Sequence, residues 1–173
     1  MATLIVDRLR CLEEHDFFGE DDVYLVYFIG RRPPSASSLH VVGPGSAWSD
    51  IGTTDVRETN VTLDTAYDPA NLYLMALIEK DAGKDITGDE RDNVEQWVKA
   101  VYTAYWASGT TPMEALAFTV QLQMGLALGA NFNGDDDNLL GVNWLKPLPS
   151  SGYWRALNYY GGSSHYRVKF LRQ

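Results

Sequence analysis

The chain has 173 residues, 45% of them hydrophobic and 12% aromatic, which is enough apolar side chain to fill one domain core and excludes a generally disordered chain. Its 14 basic residues against 23 acidic ones give a formal net charge of -9. That balance argues against nucleic acid, whose phosphates need a basic face, and against unaided attraction to an anionic membrane.

Residues 2–12 read as a strand, with apolar positions at Ile5, Leu9 and Cys11. The opening Met-Ala-Thr-Leu-Ile-Val meets Asp7 and Arg8 too soon for a secretory leader. No apolar run approaches the roughly 20 residues of a membrane span. The expectation is a soluble chain with no transmembrane segment, cytoplasmic or secreted after loss of a leader. Cys11 is the only cysteine, so no intramolecular disulfide can form, and the acidic neighbours Glu13 and Glu14 do not favour a reactive thiolate.

An acidic turn over 13–22 leads into Val23-Tyr24-Leu25-Val26-Tyr27-Phe28-Ile29, a strand by its β-branched and aromatic content. Gly30 and the Pro33-Pro34 pair end it. Shorter strands are expected at Leu39–Val42 and Asn60–Leu63. Leu72–Ile78 is apolar almost throughout, which implies cover on both faces. From Asp89 the period changes, and Val94, Trp97, Val98, Val101, Tyr102 and Tyr105 fall on one helical face, closed by Gly109. Thr111-Pro112-Met113-Glu114 has the form of a capping box opening a second helix to about Leu128. The alternation of Phe118, Val120, Leu122, Met124, Leu126 and Leu128 leaves a strand open as the alternative there. Strands return at Val142–Leu148, Tyr153–Tyr160 and His165–Leu171, the last two joined across a Gly-Gly-Ser-Ser turn. The expected architecture is mainly β, an antiparallel β-sandwich forming a single domain over 1–173, with a helical hairpin inserted at about 89–129.

Three acidic clusters fall where strands end: Asp16 to Asp22, Glu79 to Asp85, and Asp135 to Asp137. Carboxylates gathered in this way repel unless a cation joins them, and calcium takes six to eight oxygen ligands. The candidate metal ligands are Asp16, Asp22, Glu79, Asp81, Asp85, Asp135, Asp136 and Asp137.

The segment from Asp16 to Tyr24 resembles the first calcium loop of C2 domains. Asp16 and Asp22 keep the six-residue separation and Tyr24 its place, while Val23 stands where proline is usual. Glu79-Lys80-Asp81 looks like the opening of the third C2 loop. Its ending appears at Asp85-Ile86-Thr87-Gly88 and again at Asp137-Asn138-Leu139-Leu140-Gly141. The second is preferred because it runs directly into a strand, and it makes the helical hairpin an insertion within that loop. The closing Gly161–Val168 stretch is similar to the last strand of bacterial C2-like domains. The resemblance implies a C2-like sandwich, bound Ca2+ and calcium-dependent binding of anionic phospholipid, with Phe17 and Phe18 as loop-tip aromatics. No lysine-rich patch is evident in the strands, which departs from lipid-binding expectations.

No catalytic residue is expected. The chain lacks a Gly-x-Ser-x-Gly elbow and a phosphate-cradling loop with lysine, and His15, His40 and His165 have no zinc spacing. The aromatic-rich tail, Tyr153, Trp154, Tyr159, Tyr160 and Tyr166, fits alternating core and surface positions of a hairpin and leaves open a carbohydrate- or protein-binding sandwich with structural calcium. The apolar hairpin leaves open a secreted effector or toxin accessory.

Overall fold

The computed structural model describes residues 2–13, 22–43, 48–80, 86–109, 112–131, 138–161 and 164–173. Eight strands run β1 Ala2–Glu13, β2 Asp22–Gly30, β3 Ser38–Val42, β4 Val56–Tyr67, β5 Leu72–Lys80, β6 Asn138–Trp144, β7 Trp154–Gly161 and β8 Ser164–Arg172. Two helices, α1 Gly88–Ala107 and α2 Met113–Asn131, lie between β5 and β6. The strands form two four-stranded antiparallel sheets, ordered β4-β1-β8-β7 and β3-β2-β5-β6.

The alternation of each strand decides which side chains meet between the sheets. Leu4, Val6, Leu9 and Cys11 of β1 face Val23, Leu25, Tyr27 and Ile29 of β2, with Tyr73, Met75 and Leu77 of β5 and Val168 and Phe170 of β8 in the same core. The intervening residues of β2 and β5, Tyr24, Val26, Phe28, Leu74, Ala76 and Ile78, point the other way and are buried under the helices. The unbroken apolar runs of β2 and β5 therefore reflect cover on both faces, as expected for β5.

α1 forms where the period changes, with boundaries that capping explains; Thr111, which opens the capping box expected for the second helix, lies outside the described residues. The Thr87 hydroxyl accepts from the Glu90 amide and the Glu90 carboxylate accepts from the Thr87 amide, a capping box that starts α1 at Gly88. Gly109, at φ +69°, ends it in the left-handed region that glycine tolerates. Val94, Val98 and Tyr102 of α1 are buried, whereas Trp97 and Tyr105, expected on the same face, are exposed. The segment left open between helix and strand is helical. Leu116, Ala117, Val120, Met124 and Leu128 of α2 are buried, and Phe118, Leu122 and Leu126 are exposed. A cluster at 3.6-residue spacing thus faces the sheet while a second apolar stripe faces outward.

Two strands differ from their expected bounds. β4 runs from Val56 to Tyr67 rather than from Asn60 to Leu63, because this edge strand is half-exposed and carries polar residues that hide its apolar signal. β6 runs from Asn138 to Trp144 rather than from Val142 to Leu148, because its ladder with β5 opens at Glu79↔Asn138.

At one pole the sheets are tied by a buried carboxylate. Asp64 accepts from Arg31 Nη2 at 2.9 Å, the Tyr73 hydroxyl at 2.8 Å and the Ala66 amide at 2.9 Å. The chain ends meet at the same pole, where Thr3 and Gln173 exchange two backbone hydrogen bonds of 2.9 Å.

Candidate functional site

The opposite pole collects the acidic strand ends. Asp22 opens β2 opposite Lys80, Val23 pairs with Glu79, and Glu79 pairs with Asn138, so β2, β5 and β6 bring Asp22, Glu79 and Asn138 to adjacent positions. In the other sheet, Glu13 of β1 pairs with His165 and Gly161 with Ser164 at this same pole. Gly161 permits the close approach of the two sheets, since a Cβ there would lie 3.1 Å from the Cα of Leu140.

Glu79 faces the first sheet and is only 3% exposed; its Oε1 accepts from the Ser164 hydroxyl at 2.8 Å. Asp22 lies at the other side of β2. Its Oδ1 accepts from the Asp50 amide at 3.0 Å, and the Val23 amide next to it donates to the Trp48 carbonyl at 2.8 Å. Asp50 has φ 53°, in the left-handed region that aspartate tolerates better than most residues. Arg57 braces this turn by donating to the Asp50 carbonyl and, at 2.8 Å, to Asp55 Oδ2. Asp50 lies outside the three clusters in sequence, yet its backbone is bonded to a candidate ligand.

Of the eight candidate metal ligands, Asp22 and Glu79 lie in the described strands, held by different partners. Asp16, Asp81, Asp85, Asp135, Asp136 and Asp137 lie outside the described residues, as do Phe17 and Phe18. Among the described residues no group of three or more His, Cys, Asp or Glu converges as a metal site. Asp22, Glu79 and Asn138 thus share neighbouring strand ends, with Asp22 bonded to the Asp50 amide and Glu79 to the Ser164 hydroxyl. Thr87 and Gly88, part of one possible loop ending, belong to the start of α1, whereas Asn138–Gly141 enters β6.

A basic face, which the sequence reading missed, lies on the outer side of the first sheet. Arg8 pairs across the ladder with Lys169, and Arg10 with Arg167. On the flanking strands Ala156 stands beside Lys169 and Asn158 beside Arg167. Trp154 and Tyr160 on β7 are exposed, at 55% and 65%. The face is not lysine-rich: arginines supply most of it, and they come from β1 and β8, which lie far apart in the sequence. The signal was present as the alternating pairs Arg8-x-Arg10 and Arg167-x-Lys169. Of the aromatic candidates near the C-terminus, Tyr159 and Tyr166 are core residues, while Tyr153, Trp154 and Tyr160 are exposed.

No helix among the described residues is long and apolar enough to cross a membrane. No known protein family matches the chain, and no curated protein or solved structure does either.

Proposed function

We propose that the chain is a calcium-binding module resembling C2 domains, which uses the metal at its acidic pole to bridge to anionic phospholipid headgroups. One observation carries this reading. β1, β2, β5 and β6 have Glu13, Asp22, Lys80 and Asn138 as their ends at a single pole, so the segments bearing all three acidic clusters leave the sheets together. The two four-stranded antiparallel sheets and the position of both helices between β5 and β6 agree with it.

Bound calcium would supply positive charge at a pole otherwise hostile to anions, and so reverse the sign of the local field. Asp22 and Glu79 would hold it, together with carboxylates of the three clusters. Their own bonds to the Asp50 amide and the Ser164 hydroxyl orient them.

Co-sedimentation with phosphatidylserine vesicles tests the reading. Pelleting is expected with calcium and not with chelator, and is expected to fall in Phe17→Ser/Phe18→Ser. Calcium binding with no pelleting would discard the lipid role. It would favour a second reading, a glycan- or protein-binding module with structural calcium, which the exposed Tyr153, Trp154 and Tyr160 support.

A further inference from the structure

We propose that the outward stripe of α2 packs antiparallel on the same stripe of a second copy of the chain, giving a two-fold dimer centred on Leu122 and independent of calcium.

The stripe is apolar and uncovered. Phe118, Leu122 and Leu126 stand four residues apart on the side of α2 away from its buried cluster, and they are 63%, 53% and 71% exposed. Trp97 of α1, 65% exposed, lines the same hollow as Leu126. Single exposed leucines are ordinary on a monomer, but large apolar side chains gathered in one patch mark an interface.

Two glycines in the same stripe have no use within the chain. Gly125 and Gly129 lie inside the helix, where glycine is less stable than alanine. Among the described residues a Cβ at Gly129 would meet nothing within 4 Å, and one at Gly125 only Val142 Cγ2, at an ordinary 3.8 Å. Small residues four apart on one helix face let a second helix backbone come close.

Shape and charge select a second copy as the occupant. Ala115, Phe118, Leu122, Leu126 and Gly129 read the same from either end, small, large, large, large, small, and their spacing is symmetric about Leu122. Around a two-fold axis at that residue, Leu122 meets itself, Phe118 meets the other copy's Leu126, and Ala115 meets its Gly129. A two-fold interface requires this self-complementarity. The surface also offers hollows for the projecting leucines. One of about 480 Å³ lies between α1 and α2, beside Val94 and Trp97, and one of about 340 Å³ lies between α2 and β6, beside Leu139 and Val142. Leu126 lines both.

Chains of net charge -9 repel, so two copies meet best where charge is absent. α2 has no charged residue beyond Glu114, and in the antiparallel register Glu114 falls against the other copy's Ala130. A lipid surface suits the stripe less well, because interfacial helices flank their apolar face with free lysine and arginine. In the described hairpin Arg91 is paired with Asp92, and Lys99 with Glu95 and the Ser37 carbonyl. The area is sufficient for a pair: the four large side chains expose on the order of 500 Å², and their small and polar neighbours extend this toward the roughly 800 Å² per partner of a stable interface.

Sedimentation velocity of the intact chain in chelator, over a micromolar concentration series, tests the dimer apart from the calcium proposal. A monomer–dimer equilibrium is expected. Leu122→Asp sets two carboxylates face to face at the axis and is expected to weaken the dimer at least about ten-fold. In dilute solution, where the native chain is also monomeric, that variant is expected to melt like the native chain. Leu122→Lys is expected to weaken the dimer in the same way. An equimolar mixture of the two variants is expected to associate more tightly than either alone, because residue 122 faces itself in the other copy. Val56→Asp, at an exposed apolar residue of the first sheet, is expected to dimerise normally. A chain that stays monomeric throughout overturns the proposal. So does a dimer indifferent to Leu122→Asp, or a mixture no tighter than its components. A monomer that pellets with phosphatidylcholine vesicles in chelator, and no longer does so in Leu122→Asp, overturns it as well and assigns the stripe to lipid.

Discussion

The Ser164 hydroxyl donates to Glu79 Oε1 across the gap between the sheets, joining the end of β5 to the start of β8 at 2.8 Å. Both residues are almost wholly buried, so the bond fixes one candidate ligand before any cation arrives.

Glu79→Ala is expected to destabilise the chain by about 1–3 kcal/mol, since the Ser164 hydroxyl loses its acceptor in a dry setting. Glu79→Gln keeps an acceptor and is expected to melt close to the native temperature in chelator. If Glu79 holds calcium, that variant also loses the upward shift that a ligand selective for the folded state gives, about 2.7 kcal/mol at one hundred times its dissociation constant. Thermal melts with and without calcium read both effects.

Asp22→Asn is expected to weaken calcium binding by about ten-fold or more, a loss of about 1.4 kcal/mol. The proper comparison is Asp68→Asn, at the opposite pole, where Asp68 Oδ1 accepts from the Ala70 amide in the turn between β4 and β5. Asp50 is a poor control because its amide is bonded to Asp22. Calorimetry giving equal losses for Asp22→Asn and Asp68→Asn would reduce the effect to diffuse charge.

Much of the fold could be read directly from residue type. The aromatic and β-branched runs of β2 and β5 are unambiguous because both faces of these strands are buried. β4 is legible only in its middle for the converse reason: an edge strand with Glu58 and Asn60 along it looks like a loop. For α1 the cap at Thr87 lies ahead of the apolar period, outside the stretch whose spacing signals a helix. The acidic pole was legible as three clusters but not as a geometry, since only the register reveals that Asp22 and Glu79 belong to neighbouring strands. The basic face is legible in the sequence only as two separate alternating pairs, because β1 and β8 are distant in sequence and become neighbours only in the sheet.

The two stripes of α2 separate by substitution. Leu116→Asp and Val120→Asp place an unpaired charge in the cluster between helix and sheet and are expected to cost several kcal/mol or unfold the chain. Leu122→Asp, on a side chain 53% exposed, is expected to change stability by no more than about 0.5 kcal/mol. Denaturant melts distinguish the cases, and a large loss in Leu122→Asp would contradict the packing of α2.

Acid stability depends on Asp64. Burial alone would raise its pKa, but the Ala66 amide, the Arg31 guanidinium and the Tyr73 hydroxyl together outweigh burial and hold it below the ordinary value. A depressed carboxyl stabilises the fold above its unfolded pKa, and that contribution fades as pH falls below about 4 and through the native value. Asp64→Ala is expected to lose several kcal/mol at pH 7, leaving Arg31 and the Tyr73 hydroxyl without their acceptor, and to have a shallower acid limb in melts recorded between about pH 2 and 5.

The paired backbone of Thr3 and Gln173 has a practical consequence for anyone handling the molecule. Polypeptide added to either end departs from the pole bearing Asp64, a full strand length from Asp22 and Glu79. A fluorescent fusion or surface tether at either end would therefore leave the acidic pole pointing into solution. The same closeness makes the chain a candidate for circular permutation, in which a short linker joins residue 173 to residue 1 and new ends open at the exposed Ser151-Gly152 turn between β6 and β7.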